Sequence, residues 1–358
     1  MATAATAEGE LHVTRTIDWF DGAVELIDQT QLPHREVVLR IEQVPPLVDA
    51  IGRLAVRGAP ALGVAGAFGV VLAAQNHDPA TARGEFDAAV ASVRGARPTA
   101  VNLARGVDLA LARVDDGVEA VLAAALELRD DEIAASWSMS ANGADLVTEL
   151  LGPPVRAMTI CNTGGLAAVE RGTALGVIQE LHERGELAEA LPLETRPLLQ
   201  GGRLSTWELA KMGAPHRLVV DSAAPFLLSQ GRADVVLVGA DRIARDGTTA
   251  NKIGTFSLAL AARHAGVPFV VVAPESTVDP ATASGDDIEI EDRGPAEVVS
   301  VQGVAIAPPD TDAVNPAFDL TAPELITAVV TDRRVVRFDR GETLASVPPG
   351  ERRAPSPV

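Results

Sequence analysis

The tripeptide Gly152-Pro153-Pro154 separates two hydrophobic patterns that cannot belong to the same kind of structure. Upstream, from residue 46 to about 149, alanine and leucine recur at helical spacing, most plainly over 121–128 and 133–151. Downstream, apolar runs of strand length stand at 155–160, 217–220, 235–238 and 269–272, most followed by a polar turn and a helical stretch. Such alternation implies βαβ units and a parallel sheet buried on both faces. At 358 residues the chain is longer than one core usually grows. The expected fold class is α/β: a loose tail over 1–10, a mainly helical N-terminal domain over 11–152, a parallel-sheet domain over 153–347 and a disordered polar tail over 348–358. Short β-like runs flank Trp19-Phe20-Asp21-Gly22, and an Asp-Gly pair in that setting signals a hairpin, so the helical domain should open with a small antiparallel element.

Charge and composition narrow the function. A net charge of −19 repels polyanions, and no basic run is interleaved with aromatics, so nucleic acid is not an expected partner. The first ten residues have neither a basic nor an apolar region of the kind a secretory signal needs. Residues 59–74 are apolar but carry Gly63, Gly66 and Gly69 and read as too short to span a bilayer, which suggests a closely packed buried helix. A cytoplasmic protein with no membrane partner is expected. Cys161 is the only cysteine, so no intrachain disulfide can form, and the thiol is either a buried packing group or a nucleophile or acid/base group. Only Lys211 and Lys252 among the basic residues are lysines.

In open parallel sheets ligands bind at the carboxyl ends of the strands. There the chain places Cys161-Asn162-Thr163-Gly164-Gly165, Glu194-Thr195-Arg196-Pro197, Asp221-Ser222 and Gly239-Ala240-Asp241-Arg242. Asp221 and Ser222 read equally as helix caps. Asp241, desolvated at a strand end, suits a general acid, with an ion pair to Arg242 or a helix cap as the alternatives. Neither G-x-G-x-x-G nor G-x-x-x-x-G-K-[ST] occurs, which argues against NAD or ATP on those loops, and the six histidines are too scattered to form a metal site. No cofactor is expected. Arg57-Gly58-Ala59-Pro60 at a helix start, Arg97 before another, and Ala250-Asn251-Lys252 offer positive charge and backbone N–H groups to a phosphate.

With these motifs the sequence resembles the methylthioribose-1-phosphate isomerases of methionine salvage, in the superfamily that includes regulatory subunits of a eukaryotic translation initiation exchange factor. The likeness runs from the Trp19 hairpin through Val56 to Ala61, Arg97 to Leu103, Cys161 to Gly164, Glu194 to Pro197, Leu199 to Gly201, Gly239 to Ile243 and Ala250 to Gly254, ending at Asn315-Pro316-Ala317-Phe318-Asp319. The resemblance implies a helical N-terminal domain, a Rossmann-like C-terminal domain, a homodimer and a site in the cleft. It implies Asp241 as proton donor and Cys161 as the second catalytic group. Arg57, Gly58, Ala59, Arg97, Gln200, Asn251 and Lys252 would bind a sugar phosphate. The sequence departs from the family at Ile160, where a histidine commonly precedes the cysteine, and at Glu170-Arg171, where smaller or aromatic residues are usual. Other pentose 1-phosphates, such as 5-deoxyribose 1-phosphate or ribose 1,5-bisphosphate, are competing substrates, and a non-catalytic regulatory protein is the competing class.

Overall fold

The computed structural model describes residues 15–98 and 100–353; the expected loose tail over 1–10 and the last five residues of the expected C-terminal tail lie outside them. Strands β1 (Ile17–Phe20) and β2 (Ala23–Ile27) form the hairpin. Its turn residues Asp21 and Gly22 have φ of 44° and 77°, the backbone an Asp-Gly turn favours. β3 (Val38–Ile41) pairs antiparallel with β2. Five helices follow: α1 (Val44–Gly52), α2 (Ala59–Asn76), α3 (Arg83–Gly95), α4 (Val101–Leu111) and α5 (Val118–Leu151).

α2 is apolar all round because it is packed by α1, α3, α4 and α5. Its 18 residues are long and apolar enough to cross a membrane, which corrects the expectation that this stretch is too short; most of its surface is instead buried inside the protein. Small residues let the helices touch: a Cβ on Gly106 of α4 would lie 1.9 Å from the Gly63 carbonyl oxygen of α2.

The hydrophobic cores divide inside α5 and not at Pro153. Val121, Ala125 and Leu128 pack with Phe68 and Phe86 of the helical domain. Ala135, Met139, Ala144 and Val147 pack with Val155, Leu175 and Val235 of the sheet domain. The Gly-Pro-Pro break marks where the helix stops, whereas the helix itself bridges both cores.

Beyond it come β4 (Val155–Thr159), α6 (Ala174–Glu183), β5 (Leu187–Pro192), α7 (Thr206–Lys211), α8 (Ala224–Ser229) and β6 (Val235–Val238). Next are β7 (Arg242–Ala244), β8 (Thr249–Lys252), α9 (Thr255–Ala265), β9 (Phe269–Val272), β10 (Val278–Asp279) and α10 (Ala296–Val299). The last are β11 (Ser300–Val301), β12 (Val304–Ala305), β13 (Phe318–Thr321), β14 (Ala328–Val330) and β15 (Val335–Arg337). The main sheet has the order β15-β14-β9-β6-β4-β5, parallel except for the β14–β15 edge. The first strand of the domain, β4, therefore has the second on one side and the third, fourth and fifth on the other. This is the 2-1-3-4-5 doubly wound order, whose direction of winding reverses between β4 and β6.

Residues 217–220 do not form the expected strand. Val219 makes a single bridge to Leu193 at the β5 edge, while Leu218 and Val220 are 52% and 55% exposed, so only one side of the segment has anything to pack against. A four-stranded sheet, β10-β7-β8-β13, is built from segments that follow β6 and β9 and was not legible as strands in the sequence. At the C-terminus, the described part of the expected disordered tail is tied down: Arg352 pairs with Asp131 and Asp332, and Arg353 with Asp145 of α5.

Candidate active site

The loops leaving β4 and β6 meet where the sheet order reverses, and they carry Cys161 and Asp241. Cys161 has a positive φ of 70°, held by its own N–H donating to Thr195 Oγ1 at 2.9 Å and its carbonyl accepting from Ser205 Oγ at 2.9 Å. Arg57 donates to Sγ at 3.5 Å and Gln200 Nε2 at 3.4 Å. Two N–H donors on one sulfur suit a thiol that carries negative charge during reaction. The residue is only 8% exposed and that surface lines the cleft, so it is not a packing thiol in an apolar core.

Asp241 lies between β6 and β7, its N–H donating to Ala250 O at 2.9 Å. Neither bland alternative describes it. Arg242 approaches Asp279 at 3.8 Å, and the element that follows is a strand with no helix start to cap. Its side chain is exposed, but onto a recess walled by protein and not onto open solvent. Loss of hydration there raises its pKa, outweighing the opposing pull of Lys252, Arg57 and Arg97.

A cleft of about 1100 Å³ gathers Arg57, Gly58, Ala59, Arg97, Cys161, Gln200, Asp241 and Lys252. An adjoining recess of about 60 Å³ is lined by Asn251 together with Arg57, Cys161 and Asp241. All nine residues singled out in the sequence thus converge, from both domains. Gly58 caps α2 with φ of 94°, and a Cβ there would lie 2.0 Å from Ala167 O, so only glycine lets the helix start reach the Cys161 loop. Lys252 is buried, donates to Ala317 O at 2.6 Å and lies over the Phe318 ring; burial depresses its pKa. Burial also depresses Arg97, with Arg293 and Arg57 adding repulsion. Asn251 Nδ2 donates to Thr255 Oγ1 at 2.9 Å.

Other motif residues have supporting positions. Asp221 accepts from the N–H groups of Thr195 and Arg196 at 2.8 and 2.7 Å, fixing the turn beneath Cys161. Asp319 accepts from Gly254 and Phe256 N–H at the start of α9, and burial lifts its pKa to about 6. Ile160 fills the space beside Gly254, and Arg171 pairs with Glu180 and Glu183 and stacks on Trp137 at 4.1 Å, so the departures from the family pattern are packing residues here.

Two residues escaped the sequence. Glu208 of α7 is buried, accepting from Asn162 Nδ2 at 2.6 Å and Leu166 N–H at 3.0 Å, and burial lifts its pKa to about 7. Arg203, on a π-helical turn over Gly201–Ser205, lines the main cleft. Glu208 lay inside an unremarkable helical stretch; Arg203 could have been noticed only by its nearness to Gln200 and Gly201.

The profile described as the Initiation factor 2 subunit family matches residues 55–337, most of the chain. The chain belongs to this family. A probable bifunctional methylthioribose-1-phosphate isomerase/methylthioribulose-1-phosphate dehydratase of Nocardia farcinica is 51% identical over 90% of the chain, which spans 59% of that longer relative. A methylthioribose-1-phosphate isomerase of Chloroflexus aurantiacus is 44% identical, covering 90% of this chain and 95% of its own. Among solved structures, the 5-methylthioribose 1-phosphate isomerase of Pyrococcus horikoshii OT3 aligns with TM-score 0.85 at 38% identity, covering 91% of this chain and 93% of that one. The translation initiation factor eIF-2B subunit delta of A. fulgidus aligns with TM-score 0.81 at 40% identity over 90% and 96%.

Proposed function

We propose that the protein is an aldose–ketose isomerase converting 5-methylthioribose 1-phosphate to 5-methylthioribulose 1-phosphate in methionine salvage. The observation that carries this reading is the pairing of Cys161 and Asp241 in one cleft, beside the start of α2 and the guanidinium groups of Arg57 and Arg97. A sugar phosphorylated at C1 has no free aldehyde, so its ring must open before hydrogen moves. Asp241, its pKa raised by desolvation, donates a proton to the ring oxygen as the C1–O bond breaks. One hydrogen passes from C2 to C1, and the proton of the C2 hydroxyl leaves toward Cys161, whose sulfur is held by Arg57 and Gln200. Substrate and product are isomers, and proton exchange with solvent resets both groups. The N–H groups at Gly58 and Ala59 with Arg57 and Arg97 supply the phosphate site.

The reading includes a cytoplasmic location and a homodimer, the dimer supported by the exposed Phe226, Phe256 and Leu260 on α8 and α9, with light scattering as its check. The likeness to the A. fulgidus translation factor supports a second, non-catalytic reading. Incubating the protein with 5-methylthioribose 1-phosphate, 5-deoxyribose 1-phosphate and ribose 1,5-bisphosphate and following ketose formation by NMR separates these. Preferred conversion of the methylthio sugar is the expected result; folded protein that converts none of them would favour the regulatory reading.

A further inference from the structure

Several arginines in and around the site are held by carboxylates: Arg171 meets two glutamates, and Arg293 in the cleft wall meets Glu297. Arg203 is not. Among the described residues its guanidinium has neither a hydrogen-bond partner nor an ion pair, although it lines the cleft and is half-buried. The neighbouring charge it feels is that of Arg57, which repels it. Arg57 is also unpaired among the described residues apart from its contact with the Cys161 sulfur, and its Nη1 is buried without any partner. Two half-buried guanidinium groups lining one cleft without a carboxylate partner on either repel one another and cost free energy. A dianion with several acceptor oxygens placed between them would reverse the sign of that cost.

We propose that Arg203 is a phosphate-binding residue, gripping the substrate's phosphoryl group together with Arg57. This rests on the sugar-phosphate reading above, and it extends the site to a residue that sequence comparison of the motifs did not single out. The position follows from the fold. The π turn over Gly201–Ser205 carries Arg203 three residues beyond Gln200, and Gly201 is pressed so tightly against the Leu193 carbonyl that a Cβ would sit 1.8 Å from it. The backbone beneath Arg203 is therefore fixed by the same turn that places Gln200 on the sulfur.

The test uses inorganic phosphate as the probe on the whole protein, by calorimetry and thermal melting, alongside steady-state kinetics with 5-methylthioribose 1-phosphate. Wild type is expected to bind phosphate and melt at a higher temperature in its presence. Arg203→Met should melt no lower than wild type without phosphate, since an unpaired repelled charge has been removed, yet should bind phosphate about tenfold or more weakly, the loss of one charge-assisted contact. KM for the sugar phosphate should rise far more than kcat falls. Arg203→Lys, which keeps the charge without the planar fork, should be intermediate in phosphate affinity. Wild-type phosphate affinity in Arg203→Met would overturn the proposal, as would absence of phosphate binding by wild type or a lowered melting temperature in ligand-free Arg203→Met. Wild type that binds phosphate as expected but turns over no sugar phosphate would count against the isomerase reading and leave Arg203's role supported.

Discussion

Gly58→Ala puts one methyl group at the point where the helical domain touches the Cys161 loop. The new Cβ would lie 2.0 Å from Ala167 O and 2.5 Å from Ala167 Cα, where real Cβ contacts do not fall below 3.0 Å, so the two domains must separate locally by about 1 Å. The obstacle is backbone, so no side-chain rotation relieves it. Alanine at φ of 94° adds about 1–3 kcal/mol of strain. In a chain of 358 residues each kcal/mol lowers Tm by roughly 1–2 °C, so a fall of a few degrees is expected. Activity should suffer more than stability, because Arg57 adjoins Gly58 and its 3.5 Å contact with Sγ cannot survive that displacement. A misplacement of about 1 Å in a reacting constellation costs about a hundredfold in rate. Gly117→Ala is the control: Gly117 has φ of 95° at the start of α5, but a Cβ there meets nothing within 4 Å. It should lower Tm through strain alone and leave kcat/KM close to that of wild type. Melting curves and kcat/KM measured in parallel decide the matter. Gly58→Ala with wild-type values of both would refute the reasoning, and equal loss of activity in the two variants would show that strain, not the Ala167 contact, is responsible.

Asp241→Asn keeps the shape of the carboxyl and removes its proton, so turnover should fall by about a thousandfold with melting temperature nearly unchanged; residual activity above a tenth would sink the general-acid role. Because desolvation raises the Asp241 pKa, wild-type turnover should persist above the usual carboxyl range and decline as pH rises through the raised value, an alkaline limb read directly from a kcat–pH profile. Cys161→Ser should be comparably inactive, and single-site alkylation at this lone thiol should be slowed by bound sugar phosphate, as mass spectrometry would show. Glu208 has its folded pKa lifted from 4.5 to about 7, so the folded state binds the extra proton and stability from this group is full below about pH 4.5 and is lost as pH rises toward 7. Glu208→Gln should flatten that part of the Tm–pH curve; an unchanged slope would mean the carboxyl is ionised throughout.

The site was legible at residues where chemistry and backbone demands coincide. Cys161 is unique in the sequence, Asp241 follows an apolar strand and a two-residue small turn, and Gly58 precedes a proline at a helix start. Each carries a local signal that survives without knowing its neighbours. Glu208 carries none, since a glutamate in a short helix is ordinary until Asn162 and the Leu166 N–H fold over it. Arg203 is ordinary until the fold brings it into one cleft with Arg57, far away in sequence.

The sequence by itself determined the helical character of the first half and three strands of the buried parallel sheet, β4, β6 and β9, because hydrophobic period and turn chemistry are local properties. It also pointed to the ends of β4 and β6 as the place to look for a site, and these two loops do meet in one cleft. It did not determine that the cores divide within α5, that residues 217–220 have only one packed face, or that a second sheet brings Lys252 back beneath Asp241. Only the tertiary structure decides these, since burial, electrostatic repulsion and the raised pKa of a desolvated acid all depend on what lies across the cleft, and one strand's neighbours are not written in its own residues.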